Sequence, residues 1–312
     1  MKTIINDNTD PYYNLAFEEY LLKYFPLEEN KLFYLWQNEP SIIVGRNQNV
    51  FEEINLRETT KAGIPIVRRI SGGGTVYHDL GNLNFTFLAP YSKENLNNYR
   101  KFTEPIIKVL RELNIPASFY GKSDIRIGTK KISGNAQSFY LKRMLHHGTL
   151  LFDTNLENLN LFLTGNSKIS SKSVRSNPSA TANIKEYTAN HFQISDLYQA
   201  LMESIAFNDS LIQLRAEDIA AVNKLRREKY LTWEWNYGES PEFIKRSEEA
   251  EVVVKEGKII ELRLKGLPEK LNLLIRNALL GKRYFEAEIK KTLANMKIDE
   301  GISERILASL FT

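Results

Sequence analysis

The sequence predicts an α/β protein with mixed or antiparallel sheets, flanking helices and a smaller second unit near its end. In several short segments apolar residues alternate with polar ones, the period of a strand; in others they recur every three or four positions, the period of a helix. The chain has 312 residues, too many for most single small domains. Its 42% hydrophobic and 11% aromatic residues are typical of a packed globular protein.

The predicted N-terminal element is a helix at residues 13–24. It follows Asp10 and has an apolar face that includes Leu15, while Glu18 and Glu19 give it a polar face. Further along the large unit, strands are predicted at 32–36, 41–44, 64–67, 82–88, 117–120, 125–127, 131–140 and 146–152, and helices at 52–62, 99–113, 156–163, 194–207 and 216–230. In the helix at 99–113, Pro105 is expected near the first turn.

The segment that organises the chain is 68–79, which reads Arg-Arg-Ile-Ser-Gly-Gly-Gly-Thr-Val-Tyr-His-Asp. The apolar run before it predicts a buried strand, and the alternation in 82–88 predicts a half-buried one, so the glycines are expected in a hairpin. Glycines let backbone N–H groups converge on an anion, and an arginine fork suits phosphate or carboxylate. The alternative is a tight hairpin with surface arginines; the arginine pair and the Tyr-His-Asp that follows favour a site.

Residues 166–183 are rich in Ser, Asn and Lys and predict a mobile loop, which we interpret as a lid. The aromatic, turn-rich segment 232–241 closes the large unit. A hairpin at 251–255 and 258–265, with helices at 268–280, 286–295 and 303–310, then predicts a small α+β unit. The predicted domains are therefore 1–245 and 246–312.

Composition excludes several kinds of chemistry. The chain has no cysteine, so it forms no disulfide, thiolate metal site or thiol nucleophile. His146 and His147 are adjacent in a predicted strand and point to opposite faces, so they cannot share one metal ion, and we expect no zinc site.

Charge and hydropathy point to a cytoplasmic protein. The net charge of +4 does not require nucleic acid, although it would help to attract an acidic protein or ATP. There is no N-terminal apolar signal region and no long apolar run, so a membrane is not an expected partner. Because the net charge is modest, a nucleic acid is not an expected partner either.

Three blocks of sequence resemble one family. The segment 68–79 is followed by Gly-Asn-Leu-Asn-Phe at 81–85; a second block, Lys-Ile-Ser-Gly-Asn-Ala, occupies 131–136; and a third, His-His-Gly-Thr-Leu-Leu, occupies 146–151. In this order the blocks resemble the lipoate–protein ligases, from Asp10 to about residue 243 and more weakly beyond. The resemblance implies a mixed-sheet catalytic domain like that of biotin ligases, with a small accessory domain. Related acyltransferases that work without ATP use a cysteine, which this chain lacks.

The resemblance also implies a reaction in two halves. Lipoate attacks the α-phosphate of ATP to give lipoyl-AMP and pyrophosphate, and a lysine of an acceptor protein then takes the lipoyl group and releases AMP. Because two anions must meet, fixed positive charge and Mg²⁺ are expected at the join. The implied acceptors are lipoyl domains of 2-oxoacid dehydrogenase E2 subunits, the glycine-cleavage H protein, or both.

Lys131 is the implied catalytic residue, as an electrostatic stabiliser that forms no covalent bond. Outside this context a lysine that opens a strand is a solvated surface residue, which is what we expect of Lys130. The resemblance places ATP and lipoyl-AMP at Arg69, Gly73, Gly74, Thr75, Val76, Tyr77, Lys131, Thr149 and Arg175, lipoate at Lys131, Arg46 and His78 with Leu15 as a further lining, and magnesium at Asp124.

Several alternatives stay open. Asp124 has a turn-capping role as its alternative, and it follows Ser123 where the family has asparagine. Arg46 has the alternative of a solvated loop arginine. For the whole chain, the alternatives are a ligase of the same fold that prefers biotin or octanoate, and a non-catalytic adapter for lipoyl domains. Biotin ligases typically carry a Gly-Arg-Gly-Arg loop, which this chain lacks, so biotin ligation is disfavoured. Lys131 and the intact glycine block disfavour the non-catalytic adapter.

Overall fold

The structure is a computed structural model that describes residues 1–27, 31–206 and 211–311, so the predicted end of one helix at Phe207 lies outside the described residues. The strands are β1 (Lys2–Thr3), β2 (Leu32–Trp36), β3 (Ser41–Val44), β4 (Ile66–Arg68), β5 (Val76–His78), β6 (Asn82–Pro90), β7 (Ala117–Tyr120), β8 (Asp124–Ile127), β9 (Lys130–Tyr140), β10 (Arg143–Leu151), β11 (Ile169–Ser171), β12 (Phe243–Arg246), β13 (Ala250–Lys255) and β14 (Lys258–Leu264). The helices are α1 (Pro11–Lys23), α2 (Val50–Glu53), α3 (Leu56–Lys61), α4 (Tyr99–Glu112), α5 (Leu156–Phe162), α6 (Ile194–Ala206), α7 (Ala216–Leu225), α8 (Glu269–Leu279), α9 (Glu286–Asn295) and α10 (Glu300–Phe311), with a 3₁₀ turn at Ile184–Tyr187 and π-helical turns at Arg226–Tyr230 and Glu234–Gly238.

The largest sheet has seven strands in the order β1-β2-β6-β10-β9-β8-β7. All neighbours are antiparallel except β1 and β2. One face packs on α4 and α6 through a cluster that includes Phe85, Phe87 and Ile106. The other face packs on α1 through a cluster that includes Leu15 and Tyr34. The mixed α/β fold predicted from the sequence is confirmed.

Strand β6 is buried on both faces, so the prediction of a half-buried strand is wrong. Its residues Leu83, Phe85 and Phe87 enter the α4 side of the core, as the alternation predicts. Its polar side chains, Asn82, Asn84 and Thr86, lie at the buried α1 side. Polar alternation in this strand therefore indicates an enclosed polar site rather than contact with solvent.

Helix α1 also departs from the prediction. Its start is set by Asp10, whose carboxylate accepts hydrogen bonds from the backbone N–H groups of Tyr12 and Tyr13. Its expected polar face is buried, with Glu18 and Glu19 only 1% and 2% exposed. Each carboxylate is satisfied by other elements instead of water, and Glu19 accepts hydrogen bonds from Lys229 and Tyr230.

The glycine segment does not form a hairpin. Strand β4 pairs parallel to β3, and β5 pairs antiparallel to the other edge of β3, so the three form a separate small sheet. The glycines between β4 and β5 therefore pass across the end of β3. Strand β6 belongs to the large sheet, which leaves the glycine loop between the two sheets.

Two smaller expectations also change. The predicted helix at 52–62 is two short helices, α2 and α3, because Asn49 and Asn55 each cap a new N-terminus with their side chains. Pro105 lies inside α4 instead of its first turn.

The C-terminal sheet has the order β11-β12-β13-β14, and α8, α9 and α10 contribute to the same hydrophobic cluster. The predicted loop at 166–183 supplies β11, which pairs with β12. Phe51 of α2 also enters this cluster. The division at 245/246 stays a prediction. No helix of the described ranges is long and apolar enough to cross a membrane.

Candidate active site

A cavity of about 430 Å³ lies on the polar face of the large sheet, beneath the glycine loop. Its floor crosses four strands, with Trp36 on β2, Asn84 on β6, Thr149 on β10 and Gly134 on β9. Because neighbouring strands are about 4.8 Å apart, the floor is about 14 Å long. The cavity can hold an elongated molecule that lies across the strands.

Most of the predicted site residues meet in this cavity. Those that line it are Leu15, Arg69, Gly73, Gly74, Thr75, Val76, His78, Asp124, Lys131, Thr149 and Arg175. Two predicted residues do not. Arg46 forms an ion pair with Glu239 at 2.8 Å and lies 4.8 Å from the Trp235 ring, away from the cavity. Tyr77 points to the opposite face of β5 and packs on Phe162 with ring centroids 5.8 Å apart, because adjacent strand residues alternate in direction.

Lys131 lies at the β9 end of the floor. Its Nζ is 2.9 Å from Oδ1 of Asp124, and Arg126 is 3.0 Å from Oδ2 of the same carboxylate. Its aliphatic stem lies over Gly134, where a Cβ would be 3.2 Å from both Cε and Nζ. Lys130 is about half exposed and pairs with Glu186, so the prediction that this neighbour faces solvent is confirmed.

Arg69 holds the glycine loop in place. Its guanidinium donates to the carbonyl oxygens of Ile43, Gly72 and Gly74 and to the Ser71 hydroxyl. Burial lowers the pKa of Arg69 to about 10. The resemblance places ATP at Arg69; in the structure four hydrogen bonds from its guanidinium fix the shape of the loop.

Gly45 packs directly against the backbone of the glycine loop. A Cβ at Gly45 would lie 2.1 Å from the carbonyl oxygen of Gly73, so only glycine fits there without moving the backbone. Gln48 ties the parts together, because its side-chain oxygen accepts from the Gly45 N–H and the Thr75 hydroxyl. Gly72 is different, because a Cβ added there would have no atom of the described residues within 4 Å beyond its own chain neighbours.

Residues 173–176 form a strap, of which Val174, Arg175 and Ser176 line the cavity. The Ser176 hydroxyl accepts from the backbone N–H of Thr75 at 2.9 Å. Ser176 also donates to Glu53, and Arg175 pairs with Glu52. In this conformation the strap therefore occupies a backbone donor of the glycine loop that the sequence assigned to nucleotide. That the strap is a mobile lid stays a prediction.

The opposite end of the cavity is enclosed and largely apolar. Leu15, Trp36, Ile43 and Val76 line it together with His78. The His78 ring is 3% exposed, and burial lowers its pKa to about 3, so the ring is neutral at physiological pH. This end suits an apolar chain and not a second charged group.

A buried polar chain supports the glycine loop from below. His147 lies between Glu18, at 2.9 Å from its Nδ1, and the Ser71 hydroxyl, at 2.7 Å from its Nε2. His146 packs on Phe102 on the other face of β10, so the predicted divergence of the two histidines is confirmed. Sequence reasoning missed Glu18, because a carboxylate pair on an amphipathic helix usually faces water.

Comparisons with known proteins agree with this geometry. Residues 10–206 match the family model of the lipoyl protein ligase A/B catalytic domain. Lipoate–protein ligase 1 of Staphylococcus aureus is 42% identical over 280 residues, covering 85% of this chain and 84% of that protein. The chain belongs to the lipoyl protein ligase A/B family.

Solved structures of such ligases share the fold. The T. acidophilum protein Ta0514, solved with bound lipoic acid, superposes with a TM-score of 0.65 at 25% identity, covering 76% of this chain and 98% of that one. A lipoate–protein ligase A bound with ATP gives the same TM-score, identity and coverage. The resemblance seen in the three sequence blocks is thus confirmed, and this chain is an enzyme of the lipoate–protein ligase type.

Proposed function

We propose that this ligase activates lipoate with ATP as lipoyl-AMP and transfers the lipoyl group to a lysine of an acceptor protein. The observation that carries the proposal is the position of Lys131: a buried floor about 14 Å long runs from its amine to an enclosed apolar end. An elongated acid fits there with its carboxylate at the amine. The structures with bound lipoic acid and with bound ATP support the same pair of substrates.

In the first half-reaction a carboxylate oxygen of lipoate attacks the α-phosphorus and pyrophosphate leaves. Lys131 supplies positive charge between the two anions, which lowers their repulsion as they approach. The glycine loop, with Gly73 and Gly74, brings backbone close to the phosphates, and Arg69 keeps that loop in shape. For Lys131 to reach both substrates, its amine exchanges Asp124 for substrate oxygens.

Asp124 is a suitable single protein ligand for Mg²⁺. This ion is commonly held by one or two carboxylates together with substrate phosphates. In the described part of the chain no group of three His, Cys, Asp or Glu side chains could hold a metal by itself, which fits an ion that arrives with ATP. When bound, the ion would neutralise the leaving phosphates. Release of Lys131 would also free Oδ1 of Asp124.

In the second half-reaction the acceptor amine attacks the activated carbonyl, AMP leaves with the bonding electron pair, and the new amide nitrogen loses a proton. Lys131 can stabilise the negative charge that develops on the carbonyl oxygen. We propose lipoyl domains of 2-oxoacid dehydrogenase E2 subunits or the glycine-cleavage H protein as acceptors, and a cytoplasmic location for the reaction.

Intact-mass spectrometry of an apo acceptor domain tests the proposal. The purified protein is incubated with ATP, Mg²⁺ and lipoate, octanoate or biotin in separate reactions. We expect one lipoyl group on the acceptor lysine, with release of AMP and pyrophosphate, and no addition of biotin. No addition from any acid would favour the adapter alternative, and addition of biotin would overturn the proposed substrate.

A further inference from the structure

Strand β8 directs a second cation at the carboxylate that holds Lys131. Ile125 is in the core, and its neighbours Asp124 and Arg126 both line the cavity. The Arg126 guanidinium is 3.0 Å from Oδ2 of Asp124, and the Lys131 amine is 2.9 Å from Oδ1 of the same carboxylate. In the part of the chain that the structure describes, no other carboxylate lines the cavity. Asp124 is therefore shared between two cations.

Arg126 is held in place by contacts that do not involve Lys131. Its guanidinium donates to the backbone carbonyl of Thr129 at 3.2 Å, in the turn that follows β8. It also lies 4.1 Å from the centre of the Tyr120 ring on β7, a cation–π contact. Because only 18% of the Arg126 side chain is exposed, its charge is weakly screened. Arg126 can therefore stay against Asp124 while the lysine amine moves.

The two cations face each other across β8 and β9. Arg126 and Lys131 are partners in the register of these strands, and like charges at such positions repel each other. Asp124 compensates one of the two charges, so one net positive charge remains. Because Arg126 is fixed by its other contacts, the charge that is available to an incoming anion is that of Lys131.

The proposed reaction requires the Lys131 amine to leave Asp124 for oxygens of the substrates. Without a second cation, this step would leave unpaired a carboxylate that is only 17% exposed, and an uncompensated charge of this kind is costly. Arg126 lowers that cost, because Asp124 keeps one ion pair throughout. Repulsion between the two cations also favours the departure of the amine.

Building on the proposed function, we propose that Arg126 is a positioning residue that frees the Lys131 amine for the substrates by keeping Asp124 paired. In this role Arg126 acts through Asp124 and makes no bond to the reacting atoms. Without Arg126, the carboxylate would hold the amine as its one remaining cation. A ligand that needs the amine would then bind less tightly.

The test measures the affinity of the protein for lipoyl-sulfamoyl adenosine, a stable mimic of lipoyl-AMP, by titration calorimetry without Mg²⁺. The acyl sulfamate of this mimic carries a negative charge at the junction of the two halves. We expect Arg126→Gln to raise the Kd by about tenfold. Arg126→Lys, which keeps the charge, should stay within about threefold of the unaltered protein.

The same substitution is then made in Asp124→Asn, which has no carboxylate to hold the amine. There we expect Arg126→Gln to change the Kd by less than about twofold. Equal losses in the two backgrounds would overturn the inference, because Arg126 would then act on the ligand or the fold directly. An unchanged Kd for Arg126→Gln in the otherwise unaltered protein would overturn it as well.

Arg100→Gln is the matched control. Arg100 has the same charge and also lies over a ring of β7, 6.0 Å from the centre of Phe119, but it does not line the cavity. We expect an unchanged Kd, and a loss equal to that of Arg126→Gln would overturn the inference by assigning the effect to general charge.

Calorimetry gives the binding-competent fraction separately from the Kd, so partial unfolding of a variant lowers only the stoichiometry. If Arg126→Gln does not fold, Arg126→Met takes its place in both backgrounds. Failure of the unaltered protein to bind the mimic would overturn the proposed function, an outcome distinct from those that concern Arg126.

Discussion

Replacing Lys131 by alanine is expected to lower the rate of lipoyl-AMP formation by about 10³-fold or more, with a comparable loss in lipoyl transfer. The amine of Lys131 lies at the β9 end of the cavity on a flexible stem. Its present partner, Asp124, would still be paired with Arg126 in the variant. The variant should therefore fold normally. Pyrophosphate release with lipoate and ATP measures the first step, and transfer from chemically prepared lipoyl-AMP measures the second.

Lys130→Ala is the control for this experiment. Lys130 has the same charge and lies one position earlier in β9, but it is about half exposed and pairs with Glu186. We expect its activity to stay within about twofold of the unaltered protein, since exposed pairs of this kind contribute little. Normal pyrophosphate release by Lys131→Ala would contradict the electrostatic role, and an equal loss in both variants would assign the effect to general charge.

The second large effect is expected from Gly45→Ala. The added Cβ would lie 2.1 Å from the carbonyl oxygen of Gly73, far inside contact distance, and the atom that it meets is backbone. The glycine loop must therefore move by about 1 Å or more, which is enough to cost about 100-fold in activity. Overpacking of this kind also costs about 1–3 kcal/mol in the free energy of unfolding.

Gly72→Ala is the matched control, because it adds the same methyl group to the same loop. In the part of the chain that the structure describes, the new Cβ would have open space around it to 4 Å, and the φ of Gly72 is outside the region that favours glycine. We expect nearly unchanged kcat/KM and melting temperature. A larger loss of activity in Gly72→Ala than in Gly45→Ala would contradict the described packing of the glycine loop on Gly45.

Much of the fold could be predicted from the sequence because local patterns carry it. The elements β2, β3, α5 and α9 follow from short apolar runs or a three-to-four spacing, and the structure has them at or within one residue of the predicted bounds. Hairpin β13–β14 follows from two strand patterns around a Glu-Gly turn. What these patterns do not contain is the partner of each strand, which depends on residues distant in the chain.

The errors are physically related to one another. The sequence pattern predicts contact with water for Glu18, Asn84 and Thr86, because polar residues that alternate with apolar ones usually face solvent. In the structure these side chains are buried, and they bind other buried groups instead of water. The Thr86 hydroxyl, for example, donates to Glu18 at 2.7 Å. His147, which contacts Glu18, is 129 residues away from it in the sequence, so no local pattern indicates this contact.

The structure brings most of the predicted site residues to one cavity and leaves two of them outside it. The glycine block and the Lys-Ile-Ser-Gly block are brought to one cavity, although no periodicity relates them. The place of Tyr77 in the glycine block predicts a site residue, but the alternation of side chains along β5 directs Tyr77 into the core. Arg46 follows Gly45 in a turn, and an ion pair with Glu239, a contact across 193 positions, holds it outside the cavity.

The central claim is that the Lys131 amine lies between the two acids when they are joined. It is tested most directly by a crystal structure with lipoate and α,β-methylene-ATP, whose α-phosphorus cannot release pyrophosphate. We predict that Nζ leaves Asp124 and lies about 3 Å from both a carboxylate oxygen of lipoate and an oxygen of the α-phosphate. Both substrates bound with Nζ still on Asp124, and no contact to either acid, would contradict the account.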